Sequence, residues 1–311
     1  MEETLRFWLA CKDGKVEEVR ALLQNSQINI NWESDSHYSY GLTPFYIACL
    51  YGHNEIMKIL LNDNRIDINK TDSSSRTPFF IACQDANFEI VELLLNERVD
   101  INKADNYDQT PFYIACQKGH TEIVELLLND QRVDINKVRS GNFTPFYINC
   151  GNGNIEIVKL LLSDERVDIK KANNDGQTPF YVSCYYRHIE IVKLSNEREV
   201  SVNAKDKRGR TAIDIARNEV LNPIKPWESE ENFQRKQKGF ADIIELLESF
   251  ERDPNETKLK LRIQLGLAGE FFIISFSFFQ FLFFFFQKDI GATSIFAIIV
   301  LLSDHYLDFK T

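Results

Sequence analysis

Between Thr43 and Thr211 the apolar positions of the chain recur every 33 or 34 residues. One period shows the pattern. Phe112, Ile114, Ala115 and Cys116 give a short helix one apolar face, and Thr110-Pro111 ahead of it supplies an N-cap and a first-turn proline. Gly119 suits the left-handed residue that ends such a helix. Ile123, Val124, Leu126, Leu127 and Leu128 follow with the spacing of a second amphipathic helix. Val133-Asp-Ile-Asn reads as short and extended, and Asp105-Asn-Tyr-Asp-Gln as the polar turn before the next Thr-Pro. Thr-Pro-Phe opens at Thr43, Thr77, Thr110, Thr144 and Thr178, with a decayed copy at Thr211. One unit is too small to bury its own apolar face, so neighbours must stack and share a core.

The pattern divides the chain. Residues 1–35 read as an N-terminal cap that lacks Thr-Pro but keeps Ala10-Cys11 and Val19 with Leu22-Leu23. Five full units occupy 36–205. A last unit spans 206–252, with helices at 212–218 and 240–250. Between them, 219–238 is charged, carries Pro223, Pro226 and Trp227, and reads as an exposed inserted loop. Residues 253–311 form a tail with a hydrophobic segment at 271–286.

Composition narrows the function. The chain of 311 residues is 44% hydrophobic and 26% charged, as a soluble globular protein is. A net charge of −10 argues against a nucleic-acid partner, which needs clustered Lys and Arg. The acidic opening Met1-Glu-Glu-Thr does not read as a secretory leader.

The repeated Thr-Pro-Phe-Tyr-Ile-Ala-Cys, the Glu-Ile-Val-Glu-Leu-Leu-Leu run and the period together resemble the ankyrin repeat, with Phe at its Leu position and Tyr at its His position. The resemblance covers about four-fifths of the chain. It implies an all-α ankyrin-repeat solenoid: stacked helix-turn-helix units joined by short β-hairpin-like turns, with the hydrophobic segment appended. It also places the cysteines at 11, 49, 83, 116, 150 and 184 where a second small residue usually sits between helices. A disulfide needs Cα atoms within about 7 Å, closer than stacked repeats bring equivalent positions. Unpaired thiols suit a reducing compartment, and the expected location is cytoplasmic.

No nucleophile triad, phosphate loop or metal-ligand spacing stands apart from the repeat. His53, His120 and His188 are repeat-equivalent and read as structural. We therefore expect no enzyme, no cofactor and no metal, and a monomer that binds another protein. In the ankyrin family, partners touch turn tips and first-helix ends on the concave face. Carried over, the tips bring Trp32, Tyr38, Tyr40, Tyr107 and Phe143. The helix ends bring Tyr51, Gln84, Gln117, Lys118, Asn152, Tyr185 and Tyr186. Exposed aromatics of this kind are hot-spot candidates, or they pack against neighbouring turns. Tyr46, Tyr113, Tyr147 and Tyr181 read as packing between repeats, and Phe80 replaces the Tyr in one unit. Asn149 in place of Ala reads as a buried amide. The sixth unit reads as the soft joint, because Arg187 stands where Gly ends the helix and Lys193-Leu-Ser-Asn interrupts the leucine run.

In the tail, ten of the 24 Phe fall within 271–286. Two readings stay open. As a helix these sixteen uncharged residues span about 24 Å, near the thickness of a bilayer core. Lys258, Lys260 and Arg262 would keep the repeats cytosolic by the positive-inside rule. The chain would then be a tail-anchored scaffold. Alternatively, Phe283-Phe-Phe-Phe-Gln resembles a translated pyrimidine tract before an intron acceptor, and 270–287 would be a retained intron.

Overall fold

The computed structural model describes residues 2–34, 41–195, 200–225 and 227–264. The two tip tyrosines Tyr38 and Tyr40 and the segment 271–286 lie outside them. The described residues form helices joined by turns, with no strand and one isolated bridge, Arg139 with Phe143. Two compact units are present, Met1–Arg252 and Asp253–Thr311. The second contributes one described helix, α15 (Pro254–Gln264).

The first unit is a stack of helix pairs. First helices are α1 (Glu2–Lys12), α3 (Pro44–Leu50), α5 (Pro78–Gln84), α7 (Pro111–Lys118), α9 (Pro145–Asn152), α11 (Pro179–Tyr185) and α13 (Ala212–Leu221). Second helices are α2 (Val16–Leu23), α4 (Asn54–Leu61), α6 (Phe88–Leu95), α8 (Thr121–Leu128), α10 (Ile155–Ser163), α12 (Ile189–Ser195) and α14 (Glu230–Arg252). Each packs against its pair and against the same row of the next pair, giving two layers.

Local chemistry sets these helices. The hydroxyl oxygens of Thr43, Thr77, Thr110, Thr144, Thr178 and Thr211 each accept the N–H three residues on, at 3.0–3.3 Å. Proline fills the first helical position in α3, α5, α7, α9 and α11. Gly119 ends α7 at φ +83°. Ala86 and Arg187 take the same conformation without glycine, at φ +61° and +65°, each at a cost of roughly 1 kcal/mol.

The core lies between the layers. All six cysteines are buried and unpaired, and burial pushes their thiols up. The Cys49 thiol donates to the Pro78 carbonyl of the next unit, at 3.1 Å. Asn149 is fully buried; its Nδ2 donates to the Pro145 carbonyl, and its Oδ1 accepts from Asn154. His53, His120 and His188 donate Nε2–H to the Lys12, Gln84 and Gly151 carbonyls of the preceding first helices, at 2.8–2.9 Å.

Two local readings need correction. Val133-Asp-Ile-Asn is not a strand but lies in two consecutive turns, closed by Val133 N–H to the Asp130 carbonyl and Lys137 N–H to the Asp134 carbonyl, and its asparagine bonds across the stack. Asn31, Asn69, Asn102 and Asn136 each donate Nδ2–H to an arginine carbonyl of the next unit and accept an aspartate N–H there. Lys170 stands at the next rung. Nor is 219–238 a loop throughout. Residues 230–238 belong to α14, whose first turn carries Glu230 and Glu231 and which lacks proline up to Arg252.

Candidate protein-docking face

The units of α5, α7, α9, α11 and α13 enter their first helices through five-residue turns that open at residues 72, 105, 139, 173 and 206, and in four of them the first residue organises the turn. Asp72 Oδ1 accepts the N–H groups of Ser74 and Arg76, and Asp72 Oδ2 accepts the Arg76 guanidinium. Asp105, Asn173 and Asp206 do the same for the backbones of their own turns. The fourth residue is left-handed in each, whether Ser75, Asp108, Asn142, Gly176 or Gly209. Neighbouring turns are tied together, as where Asn106 N–H donates to the Ser74 carbonyl and Lys207 N–H to the Asp175 carbonyl.

The buried tyrosines reach these turns from behind. Tyr46 OH donates to Asp72 at 2.9 Å, and Tyr181 OH to Asp206 at 3.1 Å. Tyr147 OH accepts from Asn173 at 3.1 Å. Burial beside a carboxylate pushes the Tyr46 hydroxyl up. Burial would raise Asp206 as well, but the N–H and guanidinium of Arg210, the N–H of Arg208 and the Tyr181 hydroxyl outweigh it and hold the carboxyl down at about 2. Tyr113 differs: its hydroxyl is buried with no hydrogen-bond partner among the described residues, and burial pushes it up to about 12.

Of the residues singled out from sequence, Tyr51, Tyr107, Tyr185 and Tyr186 are exposed, Tyr107 to 69%. Lys118 and Asn152 are also exposed, while Trp32, Gln84, Gln117 and Phe143 are half-buried. Tyr185 and Tyr186 meet edge to face at 5.0 Å. Asn152 donates to the Gln117 carbonyl at 3.4 Å, and Gln117 Oε1 accepts from Gln109. Phe143 lies under the Arg139 guanidinium at 5.3 Å and 5.1 Å from the Tyr147 ring.

Sequence reasoning missed a groove of about 340 Å³ between the last two units, lined by Tyr185, Lys207, Arg208, Ile215 and Glu219 among others. The local density of Lys and Arg at 205–210 was its only signal. Among the described residues no three His, Cys, Asp or Glu side chains gather as a metal site. Nor is any described helix long and apolar enough to cross a membrane.

Stacked helix pairs with Thr-Pro entries and turns linked in series define a helical repeat solenoid. The family model for ankyrin repeats (3 copies) matches residues 2–72, 65–139 and 131–206, and the chain belongs to the ankyrin-repeat family. No curated protein matches it. Ankyrin repeats are in general protein–protein interaction modules, and the family is typically non-enzymatic.

Proposed function

We propose that the array is a non-enzymatic, cytoplasmic scaffold, monomeric by itself, that docks one partner protein along its turn tips and first-helix ends. The exposure of Tyr51, Tyr107, Tyr185 and Tyr186 carries this reading. Large aromatics left in water at turn tips and first-helix ends contribute nothing to the shared core, whereas truncating such residues at an interface costs about 1–2 kcal/mol or more each. The test is affinity capture with the full chain, followed by the same capture with all four tyrosines changed to alanine. The reading expects a specific protein retained by the parent and lost by the variant, with the helical spectrum unchanged. A partner retained equally by both would contradict it.

A second reading, a tail-anchored scaffold presenting the same surface to the cytosol, rests on the uncharged run 271–286. It requires full-length protein to resist carbonate extraction and release on deletion of 271–286. Mature transcripts lacking codons for 270–287 would instead support the retained intron.

A further inference from the structure

The turn at 139–143 departs from the others in one respect that has a chemical consequence. In the turns opening at Asp72, Asp105, Asn173 and Asp206, one side-chain oxygen accepts two backbone N–H groups, from the third and fifth residues. Where a tyrosine lies behind the turn, its hydroxyl bonds to the same side chain. In the fifth unit the organising residue is Arg139, which has no acceptor.

Two donors of the motif are nevertheless left open. The N–H of Gly141 stands where Ser74 donates and has no acceptor among the described residues, whereas the Phe143 N–H faces the Arg139 carbonyl in the Arg139–Phe143 bridge. The Tyr113 hydroxyl, wholly buried, has no partner there either. Arg139 forms no ion pair among the described residues; its guanidinium covers Phe143 instead. Three donors, one of them a cation, are thus left at a turn whose counterparts in the same stack hold a carboxylate or amide oxygen. A buried donor without an acceptor costs roughly 1–3 kcal/mol, so an incoming oxygen that satisfies several at once gains more than a surface ion pair does. Gly141, Asn142 and Phe143 are half-buried, so the turn is reachable from solvent.

We propose that the turn at 139–143 is a carboxylate receptor, in which an acidic group of the docked partner supplies the oxygen missing at Arg139 and bonds the Gly141 N–H group, the Tyr113 hydroxyl and the Arg139 guanidinium. The assignment to a partner rests on the docking function above; the carboxylate chemistry rests on the turn alone. An aspartate or glutamate side chain and a chain-terminal carboxylate offer the same oxygens.

The test follows the Gly141 amide and Tyr113 ring resonances of the full chain, labelled at glycine and tyrosine. The probes are N-acetyl-aspartate amide, N-acetyl-asparagine amide, and N-acetyl-glycine, which carries only a terminal carboxylate. Saturable shifts at both residues are expected with the aspartate probe, with binding weakened about tenfold or more for the neutral asparagine probe, as loss of a charge-assisted bond predicts. Comparable shifts with N-acetyl-glycine would assign the site to terminal carboxylates, and their absence to side chains. The variant Arg139→Asp supplies its own oxygen, as Asp105 does, and should lose the response while remaining folded. Equal shifts with both amide probes, no shift with any carboxylate, or an undiminished response in Arg139→Asp would each overturn the proposal. If the carboxylate fails but the tyrosine variants still lose a captured partner, only this site is refuted. If it binds and no partner depends on the tyrosines, only the docking reading is.

Discussion

At Arg187 two residue-scale effects oppose each other. Its left-handed backbone, at φ +65°, costs roughly 1 kcal/mol that glycine would remove. Its guanidinium, however, lies 4.9 Å from the centre of the Phe240 ring, a contact worth about 0.5–2 kcal/mol. Gly239 permits this approach, since a Cβ there would come within 3.1 Å of Arg187 Cδ. From sequence alone, glycine at 187 should simply stabilise the sixth unit; the Phe240 contact alters that expectation. Arg187→Gly should change stability little in the parent but stabilise a Phe240→Leu background by up to about 1 kcal/mol. Denaturant titrations of the four proteins check this, and identical effects in both backgrounds would count against the contact.

Asp206 gives a second prediction at the same scale. A carboxyl ordinarily near 3.9 and held down at about 2 in the fold contributes its full stabilisation above the higher value. That contribution disappears as pH falls through the lower one. Asp206→Asn keeps the turn's acceptor, as Asn173 does. The variant should therefore lose about 1–2 kcal/mol less than the parent between about pH 4 and pH 2. Parallel acid-unfolding curves would contradict the sign of the effect.

At the scale of elements, the helices were legible because their signals are local. Thr-Pro marks each entry, the apolar spacing marks each buried face, and the recurring cysteine marks the tight interface between neighbours. What escaped was whatever depends on the next unit. Nothing in Val-Asp-Ile-Asn shows that its asparagine bridges to an arginine carbonyl and an aspartate N–H one repeat away. Helix α14 begins ten residues before its apolar spacing does, for a different reason: 230–239 is polar, good helix-forming sequence without an apolar stripe to announce it. The exposure of Tyr51, Tyr107, Tyr185 and Tyr186 is one of the two outcomes that repeat position left open, whereas the unfilled turn at Arg139 needed the other turns' hydrogen bonds for comparison.

The asparagine ladder predicts how units couple. It runs through Asn31, Asn69, Asn102 and Asn136, and lysine occupies the following rung at 170. Lys170→Asn should extend it, adding about 1 kcal/mol to the junction between the fifth and sixth units. Amide hydrogen exchange would register this as slower exchange in α10 and α12, with α3 to α8 unchanged. A uniform change along the stack, or none, would show that the ladder does not govern coupling at that junction.

At the scale of the whole molecule, the array is a one-dimensional stack in which each unit is held by its neighbours. Its two sets of surfaces should therefore separate cleanly in function. Second helices present charged residues such as Glu92 and Glu125 to solvent, while turn tips and first-helix ends present Tyr107 and Tyr185. The most direct test places a photo-activatable phenylalanine analogue singly at each of these four positions in the full chain and irradiates it in the native cell. Docking along the tips and first-helix ends predicts one and the same cross-linked partner from Tyr107 and Tyr185, and none from Glu92 or Glu125. A partner cross-linked through Glu92 and Glu125 but not through Tyr107 or Tyr185 would contradict it.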